Sequence, residues 1–359
     1  MNNVFLVKSP LQLINALEAK CYFNLKDNNC ILIIMGDRKS YPQMLNLAKM
    51  SQQWHRVILM NNINILFGNP LDKSLSWHSD AIENSGSILR SSFFNILRLN
   101  RIAKYITDVD CIFFGDYSTE YMLHFVNIVP HNKTFLLDDG VGTVSIANRR
   151  MNMSGLQARQ RLIKKIRITA KKLFLGLKNN VPDKIYYFTA YDIELNGKDE
   201  LINNKYRYLK NMSQSLGVTD SIYFIGSPLS EVGIMSEKSY LEQLLMVKEF
   251  FKDFEVVYVA HRREAKEKLD KIKLNLNIDI CHFEYPIEYQ IAIVGPKPKI
   301  ISSFITSALE NLRIIMGDQV EIISFKLIKG TYSREKVVDD IYDYYNKNLS
   351  DYFYVESLY

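Results

Sequence analysis

Short, nearly continuous apolar runs alternate with stretches of helical periodicity along most of the chain. "NVFLVKS" leads into "PLQLINALEAKCYF", whose apolar residues return every three or four positions, so a strand and then a helix are predicted. The alternation continues through "CILIIMGD" and "SYPQMLNLAKM", then "RVILM", "DCIFFGD" and "TFLLDDG". It resumes with "KIYYFTA", "SIYFIGSP" and "EVVYVAHRRE", and the last strands expected are "IDICHFEYP", "KIISSF" and "VEIISFK". Strands apolar on both faces and separated by helices predict an α/β protein with parallel sheets covered on both sides. The pattern breaks once, between Met151 and Asp183, which reads as a seam between two Rossmann-like domains, 1–182 and 183–340. The tail, 341–359, is aromatic and acidic and is expected to be a helix packing back across the domains. Two doubly wound domains facing a central cleft would bind ligand at the carboxyl ends of their strands.

A chain of 359 residues with 47% hydrophobic and 23% charged residues is ordinary for a globular protein and long enough for two cores. No apolar window approaches the length of a membrane span, and "MNNVFLVKSPLQ" lacks the features of a signal peptide, so a cytoplasmic protein is expected. Cys21, Cys30, Cys111 and Cys281 lie far apart with no CxxC pair, and the six histidines show no metal-binding spacing. Neither a disulfide framework nor a metal or other cofactor is expected.

The net charge of +6 is modest but unevenly placed. No acidic residue occurs between Asp139 and Asp183, and within that gap "RQRLIKKIRITAKKLFLGLK", 159–178, carries eight Lys or Arg. Its apolar residues recur at helical spacing, which predicts a basic amphipathic helix. A solvated helix docking on its own domain accounts for it, and so does a surface resting on anionic lipid or an acidic glycolipid. Nucleic-acid binding ranks last, because no recognition motif accompanies the charge.

Four predicted strand ends concentrate the chemistry. In "KSPLQ", Ser9 suits a helix N-cap and Pro10 the first helical position, so capping explains it without a ligand. In "LLDDG", Asp138 and Asp139 stand side by side before Gly140. Neighbouring buried carboxylates raise one proton affinity, as a general base needs, although Asp and Gly are also plain turn residues. Side chains of adjacent residues diverge in an extended strand, which disfavours joint capture of a metal. In "VVYVAHRREAKEKL", His261, Arg262, Arg263 and Glu264 follow a strand directly, where the cations could neutralise a phosphate. The charges further on fit a solvated helix, which leaves His261 unexplained. In "KIISSFITSALENLRII", Ser302, Ser303, Thr306 and Ser307 precede an apolar helix whose free amides could bind phosphate or simply be capped.

The order "KSPLQLINALEA", "DDG", "HRRE", "YPIE", "TSAL" resembles bacterial sialyltransferases, especially glycosyltransferase family 52 and its polysialyltransferase relatives, from Lys8 to about Leu312. The resemblance implies a two-domain GT-B fold, a CMP-sialic acid donor and metal-independent inverting transfer. It implies that Asp138 or Asp139 is the general base, with Glu231 as the alternative, and that His261 contacts the donor phosphate. Thr306 and Ser307 would match the paired hydroxyl motif, with Ser303 just upstream. Glu288 would hold the cytidine ribose, and Gly226 and Ser227 the loop near the nucleotide. Ser9, Gln12 and Gly140 would approach the donor sugar, while Arg262, Arg263 and Glu264 would line the phosphate site. Where the family has a histidine-proline pair, this chain has His261 followed by Arg262. The expected acceptor is a terminal galactose of a lipid-linked surface glycan (lipooligosaccharide, O-antigen or capsule intermediate), joined α2,3. Peripheral contact with the inner face of the cytoplasmic membrane is expected, no nucleic acid is, and a homodimer is left open. Two alternatives stand beside this: a GT-B transferase using another nucleotide sugar, and a non-catalytic glycan- or nucleotide-binding protein.

Overall fold

The computed structural model describes residues 1–35, 40–60, 88–151 and 176–358. The chain divides into two compact units, Met1–Asn204 and Lys205–Tyr359. Among the described residues, no helix is long and apolar enough to cross a membrane.

The first unit is built on strands β1 (Asn2–Val7), β2 (Cys30–Ile34), β3 (Arg56–Leu59), β4 (Val109–Phe114), β5 (Lys133–Leu137), β6 (Tyr186–Thr189) and β7 (Glu200–Asn203). They form one parallel sheet in the order β3-β2-β1-β4-β5-β6-β7. Helices α1 (Pro10–Tyr22), α2 (Tyr41–Ser51), α3 (Ile88–Tyr105), α4 (Glu120–Ile128) and α5 (Val141–Met151) connect them. Val4 to Val7 are wholly buried, as expected for a strand covered on both faces.

The register of this sheet is marked by an aromatic row. Phe5 pairs with Phe113, Phe113 with Phe135, and Phe135 with Tyr186. The rings stack in the same order, with centroids 4.4, 4.5 and 5.0 Å apart. Phe23, at the C-cap of α1, closes edge-on over Phe135 at 5.0 Å. Cross-strand pairs of this kind add about 0.5–1.5 kcal/mol each beyond the area they bury.

That row explains why the seam falls after Asn204 and not at 182. Tyr186 extends the ladder onto β6, and β7 pairs with β6 in turn. Arg150 also ties the segment back through a forked ion pair to Asp199, with Nε at 2.5 Å and a second nitrogen at 2.9 Å. Residues 152–175, which hold nearly all of the predicted basic helix at 159–178, lie outside the described residues.

The second unit contains β8 (Val218–Ile225), β9 (Val256–Val259), β10 (Asp279–Cys281), β11 (Lys297–Ser303), β12 (Glu321–Lys326) and β13 (Phe353–Ser357). Its order is β10-β9-β8-β11-β12-β13, again parallel throughout. Helices α6 (Arg207–Ser213), α7 (Glu237–Phe250), α8 (Lys266–Leu276), α9 (Ser307–Met316) and α10 (Glu335–Lys347) belong to it. The tail is therefore not helical throughout: after α10 it adds β13 to the sheet edge beside β12. Val338, Tyr342 and Tyr345 line the buried face of α10, and the Tyr342 hydroxyl donates to the Phe325 carbonyl at 3.0 Å.

Candidate active site

Both sheets reverse strand order once, between β1 and β4 in the first unit and between β8 and β11 in the second. Loops diverge at such a point and leave a crevice at the carboxyl edge, where open α/β sheets bind ligands. The sequence-predicted residues gather there in each unit.

In the first unit, β1 runs into α1 through Lys8 and Ser9. Ser9 is the N-cap, accepting from the Gln12 amide at 3.2 Å, and Pro10 opens the helix. The same hydroxyl donates to Asp139 Oδ1 at 3.0 Å, so Ser9 is both a cap and a neighbour of the acidic pair.

The two aspartates differ sharply. Asp138 is wholly buried. Its Oδ1 accepts from Thr143 Oγ1 at 2.7 Å and the Gly140 amide at 3.0 Å, and its Oδ2 from Thr189 Oγ1 at 2.8 Å and the Ala190 amide at 3.2 Å. Burial pushes its carboxyl up to about 6 against the pull of those donors. Its backbone carbonyl accepts from Asn15 Nδ2 at 3.0 Å. Every lone pair thus has a partner, so Asp138 holds β5, β6 and the start of α5 together and has no face left for a substrate.

Asp139 is half-buried. Burial raises its carboxyl above the ordinary range, opposed by the Ser9 hydroxyl, the Gln12 amide and Lys8, and reinforced by Asp116. Gly140, at φ +69°, turns the chain away directly after it, a conformation that favours glycine. Gln12 is wholly buried: its Oε1 accepts from the Lys8 amide at 2.8 Å, and its side-chain amide lies beside Asp139. At Gly115, after β4, a Cβ would lie 2.1 Å from Gln12 Oε1, so the bare backbone makes room for the Gln12 side chain.

Two residues beside this pair were not singled out by sequence. Lys8 Nζ forms an ion pair with Asp116 and bonds Thr119 Oγ1 at 3.2 Å. Burial pushes Asp116 up, but Lys8, Thr119 and the Ser118 amide hold it below the ordinary value. The signal was available, since Lys8 and Asp116 each follow a strand at the reversal of strand order.

In the second unit, β9 ends at Val259, and His261 opens a turn closed by the Glu264 amide donating to the His261 carbonyl at 2.9 Å. Glu264 Oε2 accepts from the His261 amide at 2.7 Å, so a side-chain clamp fixes the turn. His261 Nδ1 accepts from the Arg263 amide at 3.1 Å, which places the proton of the neutral ring on Nε2. Burial, then Arg262 and Arg263, lower the imidazole to about 4. His261 is therefore a neutral donor in the free protein at neutral pH, not the cation that its neighbours in sequence suggest.

Several other expectations change. Gly226 follows β8, and a Cβ there would meet Glu264 Oε2 at 2.4 Å, so its bareness makes room for the clamp. The Ser227 hydroxyl donates to the Ile305 carbonyl at 3.0 Å and that of Ser303 to the Ile225 carbonyl at 2.7 Å. These buried hydroxyls tie the ends of β8 and β11 together. Glu264 is a buried support behind His261, not a surface group of the phosphate site. Glu231 accepts from the Ala265 amide at 3.0 Å and from Ser230 at 2.9 Å. Burial pushes its carboxyl up, but the Ala265 amide, Lys268 and Ser230 hold it below the ordinary value, which weakens it as a base.

Thr306 is the N-cap of α9, accepting from the Ala308 amide at 3.3 Å, and Ser307 opens the helix. The Tyr345 hydroxyl braces this start, donating to the Thr306 carbonyl at 2.8 Å. Glu288 is buried in a short helix, Ile287–Tyr289, and accepts from Asn311 Nδ2 at 2.9 Å. Burial raises its carboxyl, opposed by Asn311 and the charge of Arg262. Half-buried Arg262 thus acts on both His261 and Glu288, while Arg263 is exposed. Among the described residues, no group of three His, Cys, Asp or Glu side chains could hold a metal ion.

Two parallel, doubly wound units, each with polar residues at its strand-order reversal, define an α/β protein of the GT-B type. The chain belongs to the alpha-2,8-polysialyltransferase (POLYST) family, whose model matches residues 3–323. Among solved structures it is similar to UDP-GlcNAc 2-epimerase from Methanocaldococcus jannaschii, at 11% identity and a TM-score of 0.47, covering 100% of this chain and 89% of that one. It is similar to the E. coli heptosyltransferase WaaC with ADP, at 8% identity and a TM-score of 0.42, covering 97% and 98%. A third likeness is to a Photobacterium sp. JT-ISH-224 2,6-sialyltransferase in a ternary complex with CMP and lactose, at 10% identity and a TM-score of 0.49, covering 99% and 78%. No curated protein matches the chain.

Proposed function

We propose that the protein is an inverting, metal-independent sialyltransferase that moves sialic acid from CMP-sialic acid to a terminal galactose of a bacterial surface glycan, in α2,3 linkage. Family membership supports the reaction class. The observation that carries the mechanism is the split within the acidic pair: Asp138 is saturated by four donors, whereas Asp139 is half-open with a raised proton affinity. Asp139 is assigned as the base that takes the acceptor hydroxyl proton. The new bond forms from that oxygen to the anomeric carbon as the bond to the phosphate oxygen breaks, and CMP leaves with the electron pair.

His261 Nε2–H is assigned to the leaving phosphate oxygen, with the amides at the start of α9 and the charge of Arg262 as further stabilisers. A preorganised donor aimed at developing charge contributes about 3 kcal/mol to such a step. Glu288 is assigned to the cytidine ribose hydroxyls. The assay is transfer in EDTA with CMP-sialic acid against UDP- and GDP-sugars. Product from CMP-sialic acid alone is expected, and product from a UDP- or GDP-sugar instead would end the assignment of the donor.

A second reading concerns the acceptor only. The family description names α2,8 polysialyl transfer, which calls for an acceptor ending in sialic acid. Galactose-terminated and sialic acid-terminated acceptors, assayed in parallel, separate the two.

A further inference from the structure

We infer that Lys268 is a positioning residue of the His261 loop: its buried ammonium holds the Glu264 carboxylate in place, and that carboxylate fixes the turn presenting the imidazole. The inference rests on the proposed function only in taking His261 as the phosphate donor. Lys268 lies in α8, whose other lysines, Lys266, Lys271 and Lys273, are exposed. Lys268 alone is wholly buried. A long basic side chain ordinarily keeps its charged head in water, so a buried ammonium needs partners.

Its partners come from two loops. Nζ donates to Glu264 Oε1 at 2.7 Å after β9, and to the Ser227 carbonyl at 3.3 Å and Glu231 Oε2 at 3.5 Å after β8. It also sits 3.6 Å from the centroid of the Tyr240 ring.

The hydrogen bonds around Glu264 run in one direction. Tyr258 donates its only proton to Glu264 Oε1 at 2.5 Å, so in its 2.8 Å contact with Tyr240 it must accept. Tyr240 in turn accepts from the Ser227 amide at 3.3 Å. Tyr258, Lys268 and the His261 amide all donate to this carboxylate, two on Oε1 and one on Oε2, so three sides of it are fixed. Lys268 supplies the compensating charge. Without it the buried carboxylate loses its charged partner, its side chain is no longer held in place, and the turn holding His261 loosens.

The test compares Lys268→Met with the double variant Lys268→Met/Glu264→Met in the full chain. Lys268→Met is expected to lower kcat/KM about 10²-fold, the effect of an ångström-scale misplacement, and to lower the thermal midpoint. The double variant removes both charges, so the midpoint is expected to recover while kcat/KM stays low. Return of wild-type kcat/KM in the double variant would overturn the inference. An independent readout is the 15N spectrum of His261, assigned with His261→Ala. Wild type should show the single Nε2–H tautomer, and Lys268→Met a mixture as the Arg263 contact to Nδ1 loosens. Ring shifts unchanged in Lys268→Met would overturn the inference even if the wild type proved to use no sialyl donor.

Discussion

At the scale of single residues, the site depends on two adjacent carboxylates being made unlike by what surrounds them. Asp138 meets Thr143, Thr189 and two backbone amides, while Asp139 meets Ser9 and stays half-open. Asp138→Asn should therefore act on stability, because an amide turned toward those donors leaves one unpaired, at a cost of about 1–3 kcal/mol. The wild-type group has its own pH signature. Its proton affinity is raised on folding, from 3.8 to about 6, so the folded state binds the proton more tightly. Its contribution is fully present below the unfolded value and is lost as pH rises through about 6. Urea unfolding of wild type and Asp138→Asn between pH 4 and pH 8 should show wild-type stability falling as pH rises through about 6, a fall that Asp138→Asn lacks. A constant difference would mean that Asp138 does not titrate there. The adjacency of the pair and the divergence of its side chains were legible in the sequence. Which aspartate is consumed was not, because Thr189 lies far along the chain and reaches Asp138 only through the β5–β6 pairing.

At the scale of elements, the strands with the strongest apolar runs were all readable, and the weak ones were not. β7 reads "ELIN" with two exposed positions at its start, and β13 is five residues long and lies in the aromatic tail shortly after the helix α10, so neither carries a periodic signal of its own. Pairing with a stronger neighbour makes them strands. The same dependence hid the true seam, since β6 looks like the start of a new domain until Tyr186 is seen stacked on Phe135. Phe113, stacked on both sides, is the centre of that ladder and nearly wholly buried. Phe113→Ala should cost about 3–5 kcal/mol. Chemical denaturation followed by circular dichroism checks this, and a loss under 1 kcal/mol would mean that the ladder follows the sheet without stabilising it.

At the scale of the whole molecule, the two units carry different halves of the proposed chemistry. The order of motifs along the chain was legible because each sits where an apolar strand stops. Their internal division was hidden in packing: Gly226, Ser227 and Ser303 stand in the expected places but serve the scaffold that holds His261 and Thr306. The central claim is that Asp139, and not Asp138, is the base. It is tested most directly by the rate of sialyl transfer at saturating CMP-sialic acid for Asp139→Asn, with CMP affinity measured in the same preparation. The account predicts a fall of about 10²–10⁴-fold in rate with CMP affinity unchanged. A wild-type rate in Asp139→Asn would contradict it.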